Sequence, residues 1–76
     1  MSSANEQTVM TDEEFLLIRD LVFDHCGIFM PDSVKYVVER RLRPRLDVYE
    51  AATFREYYRS VKYGRDKAHE LDEIVD

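Results

Sequence analysis

Four arginines occupy six consecutive positions of this chain, Arg40, Arg41, Arg43 and Arg45, with Leu42 and Pro44 between them. Guanidinium groups are permanently charged, planar donors, so a row of them is suited to holding carboxylates or phosphates rather than to making or breaking bonds. Residues 35–46 carry five bases against one acid, Glu39, a local charge of +4 in a chain of net charge -5, which leaves -9 on the remainder. Such asymmetry points to a partner surface or to an internal layer of salt bridges.

Other reactive constellations are lacking in the sequence. It has no glycine-rich phosphate loop, no Cys/His cluster at metal-ligand spacing and no serine in a nucleophile elbow. His25 and Cys26 are adjacent, but neighbours on a helix point about 100° apart, so they do not form a nucleophile and base pair. Cys26 is expected to pack beside a boundary histidine, and His69 to stand exposed. Tyr57 and Tyr58 suggest a stacking platform for bases, yet Phe54, Tyr58 and Val61 complete a core stripe, with Tyr57 its less secure member. Asp72, Glu73 and Asp76 are expected on a solvated face rather than around an ion. No catalytic, cofactor-binding or metal-binding residue is therefore assigned.

The basic row has to be positioned by helices. In "TDEEFLLIRDLVFDHCG", Thr11 and Glu14 have capping-box spacing, Met10 and Phe15 that of a hydrophobic staple, and Gly27 supplies the stop. Phe15, Ile18, Leu21, Val22 and Cys26 form its apolar stripe. "IFMPD" is an extended connection in which Asp32 or Ser33 caps the next helix. In that second helix Val34, Val38, Leu42, Leu46 and Tyr49 share one face, with Pro44 expected to kink the helix or end it early. A third helix starts at Thr53, with Glu56 at box spacing, and stops at Gly64. Asp66 can cap a fourth, carrying Ala68, Leu71, Ile74 and Val75. The fold expected is all-α, a small four-helix orthogonal or bundle-like domain over residues 11–76, preceded by a flexible leader over residues 1–10. The chain stops inside an apolar-periodic segment without a C-cap, which implies that natural sequence continues.

Seventy-six residues make one domain with a small core. With 45% hydrophobic residues, five Tyr, four Phe and only two Gly and two Pro, the composition fits a compact helical body rather than a disordered tail. The single cysteine, the lack of a signal peptide and the lack of an apolar run of about 20 residues indicate a cytoplasmic setting. The acidic total opposes sequence-independent nucleic-acid binding.

The arginines divide by geometry. Arg41 and Arg45 border the apolar stripe and are expected to serve as interface or structural groups, their stems lying on neighbours. Lys35, Tyr36, Arg40 and Arg43 fall outward and are the candidate partner-binding residues, Arg40 being the freest.

Phe15, Gly27 and Ile28, then Arg41-Leu42 and Arg45-Leu46 in "VVERRLRPRL", then Phe54 and Tyr57 in "TFREYYRSV", resemble in order and spacing the N-terminal helical domain of the chemotaxis receptor methyltransferases, the CheR family. The resemblance covers about residues 11–75. It implies a parent enzyme that transfers a methyl group from S-adenosylmethionine to glutamates on the cytoplasmic helices of chemoreceptors. It places catalytic and cofactor residues in a following domain and leaves to this one a non-catalytic role in substrate recognition through the basic second helix. The implied partners are chemoreceptors and the parent's own C-terminal methyltransferase domain, with no nucleic acid and no direct membrane insertion. Two other readings remain: a regulatory or adaptor helical module using Arg41 and Arg45, and a small DNA-binding helical domain, which the acidic total and Pro44 oppose.

Overall fold

A computed structural model of the chain describes residues 8–75, and among these the regular structure is wholly helical. Helix α1 spans Asp12–Cys26. Its start is held by a complete capping box, in which Thr11 Oγ1 accepts from the Glu14 amide at 3.1 Å and Glu14 Oε1 accepts from the Thr11 amide at 2.8 Å. Met10 and Phe15 flank the box and are both buried, as the staple spacing predicts. Gly27 ends the helix at φ 75°, a left-handed conformation that favours glycine.

A 3-10 turn over Asp32–Val34 leads into helix α2, Lys35–Val48. Neither Asp32 nor Ser33 caps α2 with its side chain: the entry is made by backbone bonds, including the Val34 amide to the Pro31 carbonyl at 3.1 Å. Pro44 does not end α2 early, because the helix continues for another turn to Val48. Pro44 is exposed, on a face where solvent can take the Arg40 carbonyl that it leaves without a donor.

The real end of α2 is a Schellman motif with no glycine in it. The Ala51 amide donates to the Leu46 carbonyl at 2.8 Å and the Glu50 amide to the Asp47 carbonyl at 3.1 Å, while Glu50 sits at φ 52°. A side chain in that region costs about 1–2 kcal/mol. Glu50→Gly should therefore raise stability by about 1 kcal/mol, which for a domain of this size is a rise of about 4–8 °C in the thermal midpoint. An unchanged midpoint in a melting experiment would count against strain at Glu50.

Helix α3, Phe54–Lys62, begins with half of the expected box. Thr53 Oγ1 accepts from the Glu56 amide at 3.1 Å, but Glu56 reaches back to the Ala52 amide at 2.9 Å. Helix α4, Lys67–Val75, follows after Gly64, with the Asp66 carbonyl accepting from the Glu70 amide at 2.9 Å. A Cβ at Gly64 would lie 2.5 Å from the Ser60 carbonyl oxygen, so close backbone approach explains glycine there.

Helices α1 and α2 each pack across α3 and α4, which also pack on each other. The core draws on every helix, with Phe15, Ile18, Leu42, Leu46, Phe54 and Leu71 among its members. Tyr57 also lies in it at 1% exposure, whereas Tyr58 is only half-buried, reversing the order expected from the sequence. Stripes through residues 54, 57 and 61 or through 54, 58 and 61 fit helical spacing equally well. Tyr57 wins through its tertiary partners, a T-shaped contact with the Tyr49 ring at 5.3 Å and a hydrogen bond to Glu70.

Cys26 is exposed, contrary to the packed position expected for it, and its thiol donates to the Val22 carbonyl at 3.4 Å. His25 faces α4 instead, with Nε2 2.9 Å from Asp72 Oδ1. His69 is exposed. Met10, the last residue of the expected leader, is buried, and its amide donates to Glu39 Oε2 at 2.7 Å. The rest of the expected leader, residues 1–7, lies outside the described residues, as does Asp76. No helix among the described residues is long and apolar enough to cross a membrane.

Candidate functional site

Helix α2 presents one face to the core and one to solvent, and the basic residues are shared between them. Val38, Leu42 and Leu46, at four-residue intervals, are buried, with Val34 and Tyr49 packed against the same core. This arrangement turns Tyr36, Val37, Arg40, Arg41, Pro44 and Val48 outward.

Arg45 belongs to the inward side. Its Nε and Nη2 donate to Glu70 Oε2 and Oε1 at 2.9 and 2.6 Å, and the Tyr57 hydroxyl donates to the same carboxylate at 2.5 Å. Glu70 is 1% exposed. Burial pushes its carboxyl up, but the hydrogen bonds from Arg45 and Tyr57 outweigh burial and hold it below the ordinary carboxylate range. Burial first, then the bond to Glu70, raises the Tyr57 phenol. The Glu70 bond raises the Arg45 guanidinium against its own desolvation. The three groups form a satisfied ionic knot that ties α2 to α3 and α4.

Arg41 is exposed but anchored, donating from Nη1 to the Ile74 carbonyl at 3.0 Å in the last turn of α4. A cation there complements the negative end of that helix. Between these two arginines and α4 lies a cleft of about 270 Å³ lined by Arg41, Leu42, Arg45, Glu70, Glu73 and Ile74. Its donor set does not suit an adenosine cofactor: Arg45 and Glu70 satisfy each other, and no aromatic ring lines it.

The four candidate partner-binding residues separate in the structure. The Arg40 side chain is exposed and makes no hydrogen bond or ion pair among the described residues, and Tyr36 is 76% exposed. Arg43 is not outward as expected. It is half-buried, donates from Nε to the Thr8 carbonyl at 3.0 Å and pairs with Glu39 at 3.5 Å. Lys35 is likewise engaged, its ammonium donating to Asp12 Oδ1 at 2.8 Å, not to Glu39. That hydrogen bond raises the Lys35 ammonium and lowers the Asp12 carboxyl. Glu39 is unavailable because it is buried beneath the Met10 amide.

What remains outward is a mixed strip rather than a purely basic one. Val37 and Val48 stand 63% and 62% exposed, with exposed Pro44 between them and Arg40 and Arg41 alongside. Sequence reasoning missed these apolar members. The signal was available in the three-turn spacing from Val37 to Val48 on the side opposite Leu42.

Among the described residues no group of His, Cys, Asp or Glu is placed to hold a metal ion. Asp72 and Glu73 are exposed on α4. The chain is thus a small all-α module with a cationic and apolar helix face open to solvent.

Comparison with known proteins places the module. The family model described as "CheR methyltransferase, all-alpha domain" matches residues 13–76, and the chain belongs to that family. It is 30% identical over 69 residues to chemotaxis protein methyltransferase 2 of Vibrio cholerae serotype O1, an alignment covering 91% of this chain and 24% of that protein. The chain thus spans about a quarter of the length of this curated relative. No solved structure matches it.

Proposed function

We propose that this domain is the substrate-docking part of a chemotaxis protein-glutamate O-methyltransferase. It meets the methylation helices in the cytoplasmic region of a chemoreceptor with the outer strip of α2 and contributes no bond-making group. One observation carries the reading: Arg40 is exposed and unpaired at the centre of a helix face, on a chain whose overall charge is negative. A helix bearing several glutamates is drawn to that cation, while the acidic surroundings disfavour other anions. Tyr36, Val37 and Pro44 add contact area beside it. Arg41 can contribute charge without leaving the Ile74 carbonyl, whereas Arg43 and Lys35 act chiefly by holding residues 8–12 against α2.

S-adenosylmethionine would be bound, and methyl transfer performed, by a C-terminal methyltransferase domain of the parent protein. The adaptor reading that relies on Arg41 and Arg45 loses Arg45 to the buried knot with Glu70. Arg40→Glu, carried in the full-length methyltransferase, should lower kcat/KM for receptor methylation by about tenfold or more and leave adenosylmethionine affinity unchanged. Unimpaired methylation by a folded Arg40→Glu enzyme would remove α2 as the docking face.

A further inference from the structure

A second basic surface lies on α3 and on the turn that follows it. Arg55, Arg59 and Lys62 recur at i, i+4 and i+7 on the side of α3 opposite the buried Phe54, Tyr57 and Val61. Tyr63, Arg65 and Lys67 continue the surface, all of them exposed. Residues 55–67 hold five bases and two acids, a charge of +3; with the +4 of residues 35–46 set aside as well, the rest of the chain carries -12.

Internal pairing does not account for this surface. The side chains of Arg59, Arg65 and Lys67 make no hydrogen bond, ion pair or ring contact among the described residues. Arg55 reaches Glu13 only at 3.4 Å, between two exposed side chains. The Lys62 ammonium lies 5.5 Å from the ring centres of both Tyr58 and Tyr63 and 3.2 Å from the Tyr58 hydroxyl, so it is held in place without meeting an anion.

We propose that the outer face of α3, with residues 63–67, is a second docking surface, separate from the α2 strip, and that it receives an acidic α-helix of a partner protein. At a rise of about 1.5 Å per residue the cations of α3 extend over roughly 10 Å, which a helix with carboxylates at the same i, i+4, i+7 spacing matches along its length. Tyr63, 76% exposed, offers a ring on which the stems of such a helix can rest. A nucleic-acid duplex suits the surface less well. Glu13 sits beside Arg55, and the first turn of α1 adds Asp12, so a continuous row of phosphates would meet carboxylates where a helix can present neutral residues.

The test uses the isotope-labelled 76-residue chain and three probes. The first is a helical peptide with Glu at i, i+4 and i+7, the second has the same composition with the glutamates distributed around the helix, and the third is a short DNA duplex. Amide shifts on titration with the first peptide should centre on residues 55–67. Combining Arg59→Glu with Lys62→Glu should weaken binding at residues 55–67 by about tenfold or more, whereas Arg40→Glu, which acts on the α2 strip, should leave the shifts of residues 55–67 in place. Arg59→Gln with Lys62→Gln should give an intermediate loss with an unaltered far-ultraviolet dichroism spectrum, which separates charge from folding. Shifts confined to residues 36–48 would overturn the second surface and leave the α2 strip untouched. Equal binding of the redistributed peptide would overturn the spacing match. Tighter binding of the duplex at the same salt would reassign the surface to nucleic acid.

Discussion

Replacing Arg45 by Met should destabilise the domain by about 3 kcal/mol at neutral pH, and the loss should shrink as the pH falls. The reason lies with Glu70, which is 1% exposed and owes its ionised state to the two guanidinium bonds and to the Tyr57 hydroxyl. The estimate is at the lower end for a broken buried pair because Tyr57 still donates and Arg45 itself is 34% exposed. In the parent domain the folded-state pKa of Glu70 is depressed, so its contribution is complete above the unfolded value near 4.5 and is lost as pH falls through the lower folded value. In Arg45→Met, burial is opposed only by the tyrosine hydroxyls, Tyr57 first and Tyr49 second, and the carboxyl shifts upward, so protonation stabilises the folded state in the same acidic range. The two stability curves should therefore converge below about pH 5. Urea unfolding at a series of pH values reads this directly. A gap that stays constant with pH would mean that Arg45 acts by packing its stem. Removing the whole polar set, with Arg45→Met, Glu70→Leu and Tyr57→Phe together, should recover most of the loss, since no buried group is then stranded.

This knot also marks where sequence reasoning stops. The Thr11 and Glu14 box, the Met10 and Phe15 staple and the Gly27 stop were legible because each is settled within five residues. The apolar face of α2 was legible too, through the four-residue recurrence of Val38, Leu42 and Leu46. The fates of the arginines were not. Arg41, Arg43 and Arg45 find partners 33, 35 and 25 residues away, at Ile74, Thr8 and Glu70. Helical periodicity gives the direction of a side chain but not what another element brings to meet it. Tyr57 and Tyr58 failed for the same reason, since only Glu70 and Tyr49 distinguish them. The end of α2 carried no sequence signal, because Glu50 occupies a position where glycine is the usual mark. The basic face of α3 is hidden in the net charge of -9 outside residues 35–46, although residues 55–67 are positive. For the candidate site, then, the sequence showed which helix bears the cations, and tertiary structure decided that the Arg40 side chain stands without a partner among the described residues while those of Arg41, Arg43 and Arg45 each find one.

Glu14 connects two helix starts, and its loss should be the second large effect. One carboxylate oxygen accepts from the Thr11 amide at 2.8 Å to close the α1 box, and the other accepts from the Arg55 amide at 2.9 Å in the first turn of α3. Both amides precede or lie within the first turns of helices, where backbone donors have no intrahelical acceptor. A single carboxylate also faces the positive ends of both helices, where a negative charge is stabilising. Glu14 is 7% exposed, so its removal does not simply return these donors to bulk water. Hydrogen bonds to a charged group contribute about 1.5–3 kcal/mol each, and Glu14→Ala should cost about 3 kcal/mol in all. Glu13→Ala provides the control one position away. Glu13 is exposed and, among the described residues, its side chain pairs only with exposed Arg55 at 3.4 Å, so its removal should cost less than about 0.5 kcal/mol. Urea midpoints that fall equally for the two variants would show that the bridge between α1 and α3 contributes nothing beyond ordinary surface charge. A selective loss for Glu14→Ala, with amide exchange accelerating at Arg55 as well as at Thr11, would show that one side chain fixes the relative placement of both helices. The α3 surface proposed as a docking face would then depend on a carboxylate supplied by α1.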